Sequence, residues 1–139
     1  MVNKKELLRL MFGILWIFAG LGKIVQLVFA DITETMTRFT DNCMFEFYAE
    51  LIESIAIPNV TAIFILLAFA ETGIGLLILS GRSYTKLGLL GATLINLAYS
   101  PLFSYYTILV NVPFIIPQIY LLMQKDLNKN YLSGLMSRK

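Results

Sequence analysis

Four apolar blocks, each long enough to cross a lipid bilayer, dominate this chain. They run over about residues 7–29, 60–79, 87–103 and 105–123. A hydrocarbon core about 30 Å thick needs about 20 helical residues at about 1.5 Å each. Inside that core every backbone polar group must be satisfied locally, so each block is expected to be a transmembrane helix. Barrel strands would be about ten residues long and would alternate; none of the blocks alternates. The expected fold is all-α: one polytopic membrane domain over residues 1–139, with four transmembrane helices in an antiparallel bundle. Composition agrees, at 58% apolar and 14% charged, against about 45–50% and about 25% in soluble domains.

The charges outside the blocks orient the bundle. With four spans, Lys4, Lys5, Arg9, Arg82, Lys86, Lys125, Lys129, Arg138 and Lys139 share one side. The long connection Asp31–Pro58 falls on the other side, with Arg38 against Asp31, Glu34, Asp41, Glu46, Glu50 and Glu53. The excess of Lys and Arg marks the cytoplasmic side, so both termini are expected in the cytoplasm and the protein in the cell (inner) membrane. A cleaved signal peptide is disfavoured, because the first apolar run exceeds the usual 7–15 residues and contains Lys23. The glycosylation-type triplet Asn59-Val60-Thr61 lies directly against the second span and is read as incidental. Within the connection, Phe47, Tyr48, Leu51, Ile52 and Ile55 recur at helical spacing, with Glu46, Glu50 and Glu53 opposite. An extracytoplasmic amphipathic helix over about 41–57 is therefore expected between helices 1 and 2. Thr40 or Asp41 would cap its start and Pro58 would end it, with its apolar face packed on the bundle.

Residue types absent from the chain narrow the chemistry. There is no His, and Cys43 is the single Cys. That excludes an intramolecular disulfide, a Cys/His zinc site and a His-ligated haem, and removes Ser–His and Cys–His nucleophile pairs. No metal site and no intrinsic redox centre are expected, and no catalytic residue is assigned. A net charge of +2 gives no reason to expect nucleic acid. Cys43 itself is read as an apolar helix position.

Polar residues inside apolar spans are functional candidates by default. Lys23 and Glu71 are the ionisable ones. Gly13, Ala19, Gly20 and Lys23 share a stripe of the first block; Ala68, Glu71 and Gly75 share one of the second; Gly88, Ala92, Asn96 and Tyr99 one of the third; Asn111 and Gln118 one of the fourth. Small residues beside a polar group on every span suit a packed bundle with a polar interior. Lys23, Glu71, Asn96, Asn111 and Gln118 are therefore candidates for ligand binding or proton relay. Two readings stay open for Lys23: snorkelling to the outer headgroups, or an inward side chain meeting Glu71 directly or through a bridge. Glu71 is either that partner or a protonated helix tie. Asn96, Asn111 and Gln118 equally suit helix–helix hydrogen bonding. Pro113 and Pro117 would bend the fourth helix and free carbonyls near Asn111. Trp16, Tyr99, Tyr105 and Tyr106 are read either as a flat aromatic pocket or, for the last two, as an interfacial belt. Gly88 and Gly91 also suit a homodimer contact.

These residues resemble a family. The segment LLRLMFGILWIFAGLGKIVQ, with Arg9, Gly13, Gly20 and Lys23, is similar to the opening pattern of the DoxX-like small membrane proteins. The stretch from ELIESIAIP to LINLAYSP resembles the family's second part, at Pro58, Glu71, Gly75, Gly81, Thr85 and Lys86, the last standing where Arg is usual. The resemblance implies a four-helix membrane fold and an association with redox chemistry, since some DoxX-like proteins are subunits of thiosulfate:quinone oxidoreductase. It also admits assembly chaperones and cargo receptors. The leading expectation is a membrane subunit, at most part of an oxidoreductase, that binds a quinone or similar lipophilic ligand and works with a separate redox partner. The alternatives are a non-enzymatic chaperone, anchor or assembly factor for membrane proteins, and a small transporter or channel. The expected partners are the lipid bilayer and a membrane or redox protein, or a second copy of the chain.

Overall fold

The computed structural model describes residues 4–81, 83–102 and 105–124, and these are helical throughout apart from short connections. Helix α1 spans Lys4–Phe29, α2 Ile32–Asp41, α3 Glu46–Leu51, α4 Val60–Ser80, α5 Ser83–Tyr99 and α6 Tyr105–Met123. A π-helical stretch, Ile52–Ala56, continues α3, and a 3₁₀ turn, Ser100–Leu102, continues α5. No strand occurs among the described residues. Helices α1 and α4 are long and apolar enough to cross a membrane. Helix α5 has 17 residues and α6 has 19. Arg82, Lys125, Lys129, Arg138 and Lys139, which carry part of the expected charge bias, lie outside the described residues, as do the side chains of Tyr105 and Tyr106.

Small residues let the long helices approach closely. A Cβ added at Gly75 would lie 2.7 Å from the Gly13 carbonyl oxygen and 2.8 Å from the Ile17 nitrogen. One added at Gly20 would lie 2.6 Å from the Ala68 carbonyl oxygen. Gly13 thus meets the late part of α4 and Gly20 an earlier part, so α1 and α4 run in opposite directions with backbones in contact. Gly88 and Gly91 both face α4 of the same chain, at Ile74 and Ile78. Helix α5 then packs along α6. Helix α6 does not pack on α1 in the same way. The two meet at an edge-on Phe12–Phe114 pair with ring centroids 6.5 Å apart and at a Lys5 Nζ to Gln124 Oε1 hydrogen bond of 2.6 Å.

Two apolar cores result. Phe12, Trp16, Ile74, Ile78, Leu89, Ala92 and Leu121 form one. Met36, Ala56, Val60 and Phe64 form the other, where the α2–α3 segment packs against the start of α4. Outward-facing side chains of the long helices are apolar as well: Phe18 is 67% exposed and Phe69 73%.

The outer connection differs from the single helix expected over 41–57. Helix α2 precedes it, and Thr40 and Asp41, read as the start of the outer helix, lie in the last turn of α2. The cap is Asp31, whose carboxylate accepts from the Glu34 backbone N–H at 3.0 Å. Helix α3 follows Phe45 with no side-chain cap. Cys43 is not a helix position either. It sits in the connection, where its thiol donates to the Pro101 carbonyl at 3.1 Å. Beside it the Met44 N–H donates to the same carbonyl at 2.9 Å, and the Tyr48 hydroxyl donates to the Ala98 carbonyl at 2.8 Å. Burial, and then the neighbouring Cys43, raise the Tyr48 pKa above the ordinary phenol value, which keeps this donor protonated. These bonds tie the connection to the end of α5.

Candidate functional site

Between the two cores lies a polar layer. Lys23 and Glu71 reach it from α1 and α4, whose contact at Gly20 and Ala68 brings the two backbones close enough for the side chains to meet. Lys23 Nζ lies 2.7 Å from both Glu71 carboxylate oxygens. Lys23 is therefore turned inward, and the pair is direct rather than bridged. The Glu71 side chain is 1% exposed and that of Lys23 18%, so the carboxylate is sealed while the lysine side chain stays partly open. Tyr99 of α5 donates its hydroxyl to Glu71 Oε1 at 2.8 Å, and Lys23 Nζ stands 5.4 Å from the centre of the Tyr99 ring. The role of Tyr99 as the third member of this cluster was not legible beforehand, although it lies three residues after Asn96 on the same stripe.

The second half of the layer joins α5 to α6. Asn96 donates to Gln118 Oε1 at 3.2 Å, and Thr93, whose hydroxyl donates to the Leu89 carbonyl, lies beside the same oxygen. Asn111 Nδ2 donates to Ser100 Oγ at 3.3 Å. Gln118 is 1% exposed, and its Nε2 finds no partner. Buried amide donors are rarely left in this state.

A cavity of about 290 Å³ connects the two halves. Lys23, Glu71, Asn96, Asn111 and Gln118 all line it, together with Tyr99, Trp16, Phe12 and Phe114. The five residues picked out from the sequence are thus brought to one place from four helices. The result is a space lined by aromatic rings, by the charge pair and by Gln118, whose unspent Nε2 is itself covered by neighbouring atoms. Among the described residues, no group of His, Cys, Asp and Glu could hold a metal ion.

Comparison with protein-family models, with curated proteins and with solved structures finds no match.

One further polar group was misread from sequence. Arg9 was counted as a charge flanking the first span, yet it is 4% exposed. Its guanidinium donates to the carbonyls of Ile78 at 2.7 Å and Leu79 at 3.0 Å and pairs with Glu6. Thr85 adds a bond to the same Ile78 carbonyl at 3.2 Å. Together they satisfy orphan carbonyls at the C-terminal end of α4. Arg9 is a structural clamp below the cavity, not part of its lining.

Proposed function

We propose that the chain is an integral membrane protein of four antiparallel spans, with cytoplasmic termini, that holds the head of a quinone or similar lipophilic molecule in the polar cavity. It would work beside a separate redox partner, in the manner of the DoxX-like proteins it resembles. The unpartnered Gln118 Nε2 carries the reading. An amide donor shut away from water costs several kcal/mol unless an acceptor meets it. A ring carbonyl between Trp16, Phe12 and Phe114, met by a turn of the Gln118 side chain, would supply that acceptor. Lys23, partly exposed, would face a second ring oxygen. Such a ligand carries the redox chemistry itself; the protein's residues bind it, orient it and keep water away.

Two other features support the reading. Apolar side chains cover the outside of α1 and α4 while Lys23 and Glu71 turn inward, the reverse of a soluble arrangement. Of the residues behind the family resemblance, Gly13, Gly20, Lys23, Glu71 and Gly75 meet at the α1–α4 contact.

The test uses Trp16, the single tryptophan, which lines the cavity. Saturable quenching of its emission by a short-tailed benzoquinone in detergent, weakened in Glu71→Gln and Gln118→Leu, is the expected result. Mass spectrometry of mildly extracted protein should find a quinone. Quenching that never saturates, with no co-extracted ligand, would falsify the proposal. A second reading, a non-enzymatic partner of other membrane proteins, draws on Phe45, Phe47 and Leu51, which α3 and its start leave exposed. Recovery of a stoichiometric protein partner without ligand would favour it.

A further inference from the structure

The cavity is not closed all round. Among the described residues, helices α1 and α4, α4 and α5, and α5 and α6 pack closely, whereas α1 and α6 do so far less. The seam between them is bounded by the Lys5–Gln124 hydrogen bond at one end and crossed by the edge-on Phe12–Phe114 pair. Leu15 and Phe114 both line the cavity, yet they are 47% and 42% exposed. Each therefore faces the cavity on one side and the surroundings on the other.

Size matters next. Ligand pockets that enclose a whole drug-sized molecule measure about 300–1,000 Å³; this one measures about 290 Å³. It fits a substituted ring and leaves no room for a long chain. Of the polar lining groups, Gln118 and Glu71 lie deepest, each 1% exposed. The apolar ones, Leu15 and Phe114, stand at the opening.

From this gradient we propose that the site takes a single-tailed lipid head first through the α1–α6 seam. The head lies against Gln118, whose side chain turns to give Nε2 to an acceptor oxygen, and the tail lodges between Leu15 and Phe114 and runs out into the bilayer. This rests on the membrane reading above and adds to it how the ligand lies and which residues sense its tail. A tailless ring of the same chemistry loses the seam contacts. A bulkier side chain at position 15 takes the tail's place.

Two probes test this on the detergent-solubilised full chain: a decyl-substituted benzoquinone, and the same ring with methyl in place of decyl. Dissociation constants come from Trp16 quenching and are expressed per mole of detergent, which removes partitioning. The decyl compound should bind at least about tenfold tighter. Leu15→Phe should weaken the decyl compound about tenfold and the methyl compound less than about twofold. Leu15→Ala should weaken the decyl compound about threefold by loss of tail contact, while an unimpaired response to the methyl compound guards against a folding defect. Leu76→Phe, on an exposed face of α4, should change neither. Gln118→Leu should weaken both probes alike. Equal affinities for the two probes, with no response to either change at Leu15, would overturn the seam while leaving a quinone site intact. Probes that bind normally to Gln118→Leu would overturn the placing of the head. Failure of both probes to quench saturably would sink the underlying function instead.

Discussion

Removing the Lys23 ammonium leaves the Glu71 carboxylate sealed in the interior with only the Tyr99 hydroxyl beside it. Breaking a buried pair from one side costs about 3–5 kcal/mol, mostly because the remaining charge is stranded. Lys23→Met should lower stability by that amount. Lys23→Met combined with Glu71→Gln should be more stable than Lys23→Met alone, as read from thermal unfolding in detergent. If the double variant is the weaker one, the pair is not what the charges depend on. Arg9 gives the second residue-scale expectation. Arg9→Met should cost about 1.5–3 kcal/mol for each charged hydrogen bond lost at Ile78 and Leu79. Arg9→Lys should restore little, since a single ammonium lacks the fork that reaches both carbonyls. Equal melting of Arg9→Lys and the unaltered protein would refute the clamp. Lys23 and Glu71 were legible in the sequence because a charge within an apolar run is costly and conspicuous. The burial of Arg9 was not, because a basic residue near the start of a span reads as a flanking charge until the neighbouring helix end is located. The unpaired state of Gln118 was equally hidden, since it depends on how α5 and α6 rotate against each other.

At the scale of elements, glycine positions separate contact faces from free ones. Gly75→Ala puts a methyl 2.7 Å from the Gly13 carbonyl oxygen. Backbone atoms cannot move aside as a flexible side chain would, so α1 and α4 must part at a cost of about 1–3 kcal/mol. Gly73, two residues earlier, has open space where its Cβ would go. Gly73→Ala should be neutral or slightly stabilising through helix propensity. Identical melting temperatures for the two variants would rule out the close approach. The helical pattern of the outer connection was readable from Phe47, Leu51 and Ile55. Its division into two segments was missed because Asp31 and Glu34 were counted as outer charges rather than as the opening of a helix. The π-helical stretch Ile52–Ala56 has no sequence signature comparable to a cap or a proline.

For the whole molecule, the proposed orientation predicts which ends meet which solvent. With Cys43 replaced by Ser, Glu50→Cys in exposed α3 should react with a membrane-impermeant maleimide on intact cells. Lys4→Cys, exposed at the start of α1, should react only after permeabilisation. The opposite pattern would invert the protein in the membrane. Hydropathy made the all-helical class legible, because apolar runs of this length have few other ways to satisfy their backbones. The order in which helices touch was not, and it is that order which leaves α1 and α6 without close packing. The two walls of that gap also differ in what holds them. Glycine contacts hold α1 against α4 along much of its length, whereas Pro113 and Pro117 lie inside α6 and remove two backbone donors on successive turns. If a lipid enters as proposed, the wall expected to yield is therefore α6, while α1 keeps Lys23 aimed at its carboxylate.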